Sequence, residues 1–406
     1  MKVRVALATN FISPYRVPLY SALGGTDNWD FKVFSCCDSE FNRCWKPIQD
    51  PPFQHKTSFN FSYMRVVKHR GLVTFTDRRQ VHIPLGLWFD LWRFHPDVIF
   101  SDEMGARSLI AAIYAFLMRK RLVIWFYGTL HTERDISWKQ RMLRAVLVRA
   151  ADAFVGMGVD ARRYLESTGV PSNSIFHARN ATAIASLRNQ VVERVRGQWH
   201  KRFGSSELCF LYVGQLNQRK NLYKLLEAWE SFGAQDDVRA SLILVGDGPD
   251  KADLQRRVAH SRLTNVAFVG HLEPEKLPEI FHAADVFVFP TLEDVWGLVV
   301  NEAMTFGLPV ICSKYAGCAA DLICEDKNGW IVDPEDARDL AKALRRAWDA
   351  RNRKEEMARA ARESMSSVTI SNMANGFQEA VKFVLAQSNV TSEKQQRPES
   401  LIVNHQ

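Results

Sequence analysis

Two carboxylates, Asp294 and Glu302, stand eight residues apart in the segment Ala284-Asp285-Val286-Phe287-Val288-Phe289-Pro290-Thr291-Leu292-Glu293-Asp294-Val295-Trp296-Gly297-Leu298-Val299-Val300-Asn301-Glu302-Ala303-Met304. A hydrophobic strand there meets an acidic pair, then a glycine, then a helix that carries Glu302. Asp294 belongs to the loop and Glu302 lies a turn or so inside the helix. Carboxylates accept from sugar hydroxyls, and free amides at a helix N-terminus donate to phosphate oxygens. The spacing therefore suits a sugar-nucleotide. Taken alone it also fits a capped helix with acidic first-turn residues, which needs no ligand.

A second cluster supplies the opposite charge. The apolar run Leu208–Val213 leads into Gly214-Gln215-Leu216-Asn217-Gln218-Arg219-Lys220-Asn221 and then an amphipathic stretch. A strand, a loop with adjacent cations and a helix N-terminus favour an anion. Arg219 and Lys220 offer the two positive charges a diphosphate needs. Taken alone the segment reads as readily as a solvated basic turn. Leu242–Val245 then ends in Gly246-Asp247-Gly248-Pro249, a corner with room for close backbone approach but otherwise a plain turn.

These segments need a frame that brings strand ends together. Short apolar strands alternate with helical stretches in both halves: Val3–Ala8, Phe31–Ser35, Val98–Ser101, Leu122–Tyr127 and Ala153–Gly156, then Leu208–Val213, Ser241–Val245, Val266–Val269, Val286–Phe289 and Val310–Cys312. Such alternation implies parallel sheets with helices on both faces. Two series imply two doubly wound domains, with ligands at the carboxyl ends of the strands. The expected division is 1–190 for an N-terminal Rossmann-like domain and 205–370 for a second domain. A C-terminal helix over 371–388 is expected to pack back toward the first domain, followed by a disordered tail over 389–406. The seam falls near Ala181–Ser206.

The ordered motifs Gly-x-Leu…Arg-Lys-Asn, Val-Gly-Asp-Gly-Pro, Phe-Val-Gly, Glu-Asp-x-Trp-Gly-Leu-Val-Val-Asn-Glu-Ala-Met and Gly-Leu-Pro-Val-Ile at 307–311 resemble those of retaining glycosyltransferases of family 4. The resemblance is strong from Phe210 to Val332. It is weaker in the first half, through Asn10-Phe11-Ile12-Ser13-Pro14-Tyr15-Arg16-Val17-Pro18-Leu19 and the His131 region. It implies the α/β GT-B fold, two doubly wound Rossmann-like domains facing each other across a cleft. The first would bind an acceptor and the second a nucleoside-diphosphate-sugar donor.

The resemblance also implies roles. Asp294 would contact donor-sugar hydroxyls and Glu302 the ribose hydroxyls. Backbone near Gly246, Gly297, Leu298 and Val299 would lie by the diphosphate or the sugar. Lys220 matches a phosphate-binding lysine. Gln215 stands where the family usually has arginine, and Arg219 is expected to replace that cation from four residues along. Asp294 stands where glutamate is usual, with Glu293 beside it. His131, in Tyr127-Gly128-Thr129-Leu130-His131-Thr132-Glu133-Arg134, would line the cleft near the transferred sugar, although a structural histidine fits the sequence as well. Pro14-Tyr15-Arg16 would face the cleft too. Asp294 and His131 are thus the expected catalytic residues, and Gln215, Arg219, Lys220, Gly246, Gly297, Leu298, Val299 and Glu302 the substrate-binding ones.

Composition narrows the partners. The chain has 406 residues and a formal charge of +8. Residues 1–200 hold 28 Lys+Arg against 16 Asp+Glu, and residues 201–406 hold 25 against 29. The surplus lies in the first half, which disfavours a uniform nucleic-acid coat and suggests one domain that meets something acidic. Ser137–Arg149 reads as a basic amphipathic helix in which Trp138, Met142, Leu143, Val146 and Leu147 share a face. Arg78, Arg79 and Arg93 with Trp88, Phe89 and Trp92 form a second basic-aromatic cluster. Both fit core-facing helices with a solvated cationic side, and both fit contact with an anionic membrane surface.

Seven cysteines without Cys-x-x-Cys read as buried free thiols in a reducing compartment. No apolar run reaches the length of a spanning helix and the start is not a signal peptide, so a cytoplasmic protein is expected, or one peripheral on the inner face of the membrane. No Asp-x-Asp triplet occurs, so no metal and no cofactor are expected. The sequence is then read as a metal-independent retaining glycosyltransferase acting on a cell-envelope saccharide or lipid-linked acceptor. The competing readings are a nucleotide-sugar 2-epimerase of the same fold, a non-catalytic sugar-nucleotide-binding scaffold and an NAD-dependent dehydrogenase. The last would want a Gly-x-Gly-x-x-Gly run that is absent.

Overall fold

The computed structural model describes residues 2–40, 48, 50–69, 74–183, 207–261 and 263–395. The first domain contains β1 (Val3–Thr9), α1 (Val17–Gly24), β2 (Trp29–Ser35), β3 (Gln54–Thr57), β4 (Phe61–His69), β5 (Phe75–Ile83) and α2 (Gly86–Phe94). It continues with β6 (Val98–Asp102), α3 (Ala106–Met118), β7 (Arg121–Phe126), α4 (Trp138–Ala150), β8 (Ala153–Gly156), α5 (Gly158–Ser167) and β9 (Ile175–His177). Seven strands form one sheet in the order β3-β2-β1-β6-β7-β8-β9, and its pairings are parallel. β4 and β5 stand apart as an antiparallel hairpin.

The second domain contains β10 (Leu208–Val213), α6 (Leu222–Gly233), β11 (Ala240–Val245), α7 (Lys251–His260), β12 (Val266–Gly270), α8 (Leu277–Ala283) and β13 (Val286–Phe289). α9 (Leu298–Thr305), β14 (Val310–Ser313), α10 (Ala319–Leu322), β15 (Gly329–Val332), α11 (Ala337–Asp349) and α12 (Lys354–Met365) follow. Its six strands run β12-β11-β10-β13-β14-β15, all parallel. These two parallel sheets are the two doubly wound domains that the alternating pattern implied, in the GT-B arrangement that the family resemblance implied.

The period-two geometry of a strand sorts the cores. Val5 and Leu7 of β1 pack with Leu19, Tyr20 and Leu23 of α1. Ala6 and Ala8 point the other way, onto the layer of α2, α3 and α4 through Leu87, Leu91, Ala111, Tyr114 and Leu147. In the second sheet Phe210 and Tyr212 meet α6 and α11, while Leu211 and Val213 meet the face shared with α8 and α9. Strands buried on both faces need continuous apolar runs, and β10 is buried throughout.

The chain then returns. α13 (Ile370–Gln395) lies against β7, β8, β9 and α1 of the first domain. Phe377 sets its ring 5.1 Å from Phe100 and 5.0 Å from Trp125. Gly376 lies on the carbonyl of His177, where a Cβ would collide. The helix passes the expected end at 388, because an anchored helix extends at little cost per residue. The expected tail therefore begins inside it, and its remainder, 396–406, lies outside the described residues. So does most of the expected seam, from 184 to 206.

Three local expectations need correction. Arg16 is buried, its guanidinium 4.2 Å over the Trp125 ring, and so it turns into the first domain. Arg78 sits on the hairpin strand β5 and Trp88 packs edge-on against Tyr114, which separates them from the exposed Phe89, Trp92 and Arg93. Cys324 is exposed and Cys37 half-buried, so the described cysteines, all free, are not uniformly buried; Cys44 lies outside the described residues.

Candidate active site

Strand order reverses direction at β10 and β13, which are neighbours although far apart in sequence. Loops leaving the carboxyl ends of such a pair diverge and open a crevice. Gly214–Lys220 follows β10 and Pro290–Gly297 follows β13, so both sequence clusters emerge there. The glycine requirement is steric. A Cβ on Gly246, whose φ is +135°, would run into the Gly214 carbonyl, so the two corners can touch only without side chains.

The basic turn and the acidic loop are built as one unit. Asn217 caps the short turn by accepting from the Lys220 amide at 3.2 Å. Asn221 adopts φ +60°, and its side chain donates to the carbonyls of Pro290 and Pro334. The Arg219 carbonyl accepts from the Leu292 amide at 2.8 Å. Lys220 Nζ lies 2.7 Å and Arg219 3.3 Å from the Asp294 carboxylate. Arg219 also donates to the Glu293 carbonyl at 2.9 Å, and Lys220 Nζ sits 4.6 Å over the Phe289 ring. Burial pushes the Asp294 carboxyl up, but the charges of Lys220 and Arg219 reverse that and hold it at about 2. Asp294 stays ionised at any working pH.

Glu293 takes a different direction. It is buried and meets Arg134 of the first domain at 3.1 Å. The adjacent carboxylates are thus separated by partner: Asp294 faces the cations, Glu293 the opposite domain.

Gly297 opens α9 at φ +99°, where a Cβ would lie 2.7 Å from the Phe289 ring. The first amides of α9, at Leu298 and Val299, have no acceptor within the helix and give that end a partial positive charge. Glu302 sits one turn on, half-buried, and among the described residues no side chain makes an ion pair or hydrogen bond with it. Burial pushes its carboxyl up to about 7. One carboxylate is held charged and the other is poised to titrate.

The first domain supplies the facing wall. The loop after β7 brings His131 onto the acidic loop: its Nε2–H donates to the Leu292 carbonyl at 2.9 Å, and its ring stacks 3.6 Å from Tyr315. Burial and the charge of Arg134 lower its pKa, so the ring is neutral with its proton on Nε2. Arg16 donates to Asn180 Oδ1 at 2.9 Å. The Asn180 carbonyl accepts from Asn301 at 2.7 Å, and Asn301 Oδ1 accepts from the Trp296 indole at 2.9 Å. This run of hydrogen bonds joins the loop after β1 to the helix bearing Glu302.

The structure gathers Arg219, Lys220, Asp294 and His131 about the loop after β13, where Gly297, Leu298 and Val299 open the helix that carries Glu302, and it sets Gly246 against the Gly214 corner. Gln215 is different: its side chain is exposed and accepts from Asn217 at 3.1 Å. Arg134, Asn180, Asn301 and Tyr315 were not foreseen. Each acts through a residue distant in sequence; Asn301 lies inside the acidic motif and Arg134 closes the His131 segment, while Asn180 and Tyr315 carried no sequence signal. The hairpin strand β5, which lies close to the Gln218–Lys220 turn, was not foreseen either.

Two Rossmann-like domains, with cations and carboxylates gathered at the switch point of the second, define a protein of the GT-B fold. Residues 196–364 match the family described as glycosyl transferases group 1. Sulfoquinovosyl transferase SQD2 of Arabidopsis thaliana is 29% identical over 68% of this chain and 54% of its own length, so the match spans little more than half of that relative. The O-antigen chain mannosyltransferase C of Escherichia coli is 30% identical over 64% of this chain and 66% of its own. Among solved structures, Anabaena HepE in complex with UDP superimposes with a TM-score of 0.73 at 17% identity, covering 94% of this chain and 100% of that one. WaaG, a glycosyltransferase involved in lipopolysaccharide biosynthesis, gives 0.62 at 16% over 93% and 98%.

Proposed function

We propose that the protein is a retaining glycosyltransferase that moves a hexosyl-type sugar from a nucleoside-diphosphate-sugar to a cell-envelope saccharide or lipid-linked acceptor, without a metal. The observation that carries this reading is the Lys220–Arg219–Asp294 cluster at the mouth of α9, one turn before Glu302. Donor cleavage leaves negative charge on the departing diphosphate. Lys220, Arg219 and the first amides of α9 stabilise it from the protein, which is the work a metal does in other diphosphate sites. Asp294 accepts from hydroxyls of the sugar, and Glu302 accepts from those of the ribose. His131 lines the sugar from the acceptor side. Support for a nucleotide donor comes from the UDP complex of the structural neighbour, and support for a glycan or glycolipid product from the relatives' names.

Mass spectrometry of products, using a panel of nucleotide-sugars with envelope extracts as acceptor, tests the reading. Lys220→Ala and Glu302→Ala should each lower turnover by roughly 100-fold with circular dichroism intact, the size expected for losing one charge-stabilising contact. Chelation should leave the rate unchanged. Full activity in both variants would sink the assignment.

A further inference from the structure

We propose that the outer face of the α2–α3–α4 layer docks on an anionic lipid bilayer. The three helices lie side by side, α3 between the other two. Their inward needs are met by Leu87, Leu91, Ala111, Tyr114, Ala115 and Leu147. Large apolar side chains nevertheless point outward from all three: Phe89 at 70% exposure, Trp92 at 57%, Phe116 at 83%, Leu117 at 60%, Trp138 at 64% and Met142 at 61%. Single exposed hydrophobics are ordinary, but a set shared by three adjacent helices marks a contact surface. In α4 Leu147 is fully buried and Leu143 and Val148 pack partly against the core, whereas Trp138 and Met142 face out.

Charge selects the occupant. Arg93, Lys139, Arg141 and Arg149 are exposed on the same helices, and Arg119 follows the end of α3. The one acidic residue on the three helices, Asp90, is buried and bound by Lys56 and Ser58. A second copy of the chain would set these cations against themselves, which opposes a two-fold interface. An anionic headgroup layer answers the cations while the boundary beneath it takes Trp, Phe and Leu, and long basic side chains can bend their charges up to the phosphates. Lys139 already lies with its ammonium 5.7 Å over the Trp138 ring. α3 and α4 begin after the carboxyl ends of β6 and β7, so a docked bilayer would run alongside the cleft, within reach of a lipid-linked acceptor. In purpose this rests on the acceptor half of the proposed function; its evidence is separate from the donor chemistry.

Flotation of the full chain with vesicles of phosphatidylcholine, with or without roughly a third phosphatidylglycerol, tests the proposal without any donor present. Expected are co-flotation with the anionic vesicles at low salt, at least ~10-fold weaker recovery with phosphatidylcholine alone or at high salt, and a blue shift of tryptophan emission. Phe116→Ser with Trp138→Ser should lower anionic recovery by ~10-fold, and Lys139→Gln with Arg141→Gln should lower it without changing recovery on neutral vesicles. Circular dichroism melting checks that each variant is folded. Absence of flotation at low salt overturns the proposal, as does recovery that both double variants leave unchanged. A dimer in size-exclusion chromatography that the same apolar variants dissociate would assign the face to a second copy and overturn it equally. Donor turnover on a soluble acceptor, read on the same preparations, should be unchanged in all variants. Its loss in the wild type with flotation retained would sink the transferase reading and leave this one standing.

Discussion

At the scale of single residues, two carboxylates eight positions apart are tuned in opposite directions by what surrounds them. Asp294 is kept at about 2 by Lys220 and Arg219 against its burial, whereas Glu302, with no such neighbour, is pushed up to about 7. The folded state therefore keeps a proton on Glu302 that the unfolded chain has released once the pH exceeds the usual carboxylate range. The cost of charging it grows as pH rises through that window and is complete above about 7. Glu302→Gln should accordingly gain stability relative to the wild type by about 1–3 kcal/mol more near pH 8 than near pH 5. Thermal melts at the two pH values check this, and an identical difference at both would mean that Glu302 ionises as an ordinary carboxyl. Ribose hydroxyls donating to Glu302 would favour its charged form, so nucleotide binding near neutral pH should release a proton.

At the scale of elements, the donor side is a strand, a sharp corner and a helix, repeated at β10 and β13. Gly297 fixes the second corner. Its left-handed backbone and the nearby Phe289 ring leave no place for a Cβ, so Gly297→Ala should cost about 1–3 kcal/mol in urea unfolding. It should also lower donor affinity by tilting the first amides of α9; stability unchanged from wild type would contradict this. These pieces were legible in the sequence because each is local: apolar runs mark β10 and β13, and the motif residues lie within a few positions of one another. The hairpin β4–β5 was not, since its strands mix Arg, Lys, Thr and Gln with Tyr and Phe, the described side chains of β4 are nearly all exposed, and those buried on β5 are Phe75 and His82, seven residues apart. They lack the one-sided burial that makes alternation visible. The direction of α4 was also hidden. The sequence reading puts Trp138, Met142 and Leu147 on one face, yet Trp138 and Leu147 are nine residues apart, about half a turn out of phase at 3.6 residues per turn, and the fold buries Leu147 while Trp138 and Met142 face out.

At the scale of the whole molecule, the domains are joined through polar contacts that sequence spacing could not reveal. Asn301 links Trp296 to the Asn180 carbonyl, and Asn180 receives Arg16, so the acidic motif is registered against the first domain's opening loop. Val159 and Arg179 bind Asp321 in the same way. Asn301→Ala would strand two buried groups, each costing about 1–3 kcal/mol. The expected result is a drop of about 2–4 kcal/mol in unfolding free energy, with a broader transition as the domains uncouple. A sharp transition at the wild-type midpoint would show that the link carries no stability. The charge imbalance also has a place: much of the first half's excess stands on the α2–α4 layer, away from the cations that serve the cleft.

The returning helix α13 sets the order in which the chain can mature. Phe100 and Trp125, near the middle of the first sheet, both set their rings against Phe377 of this helix. During synthesis the first domain therefore leaves the ribosome with the part of this face beyond α1 uncovered, and it waits for the whole second domain to be made before its last layer arrives. Until then the apolar groove that this helix fills stays open to water.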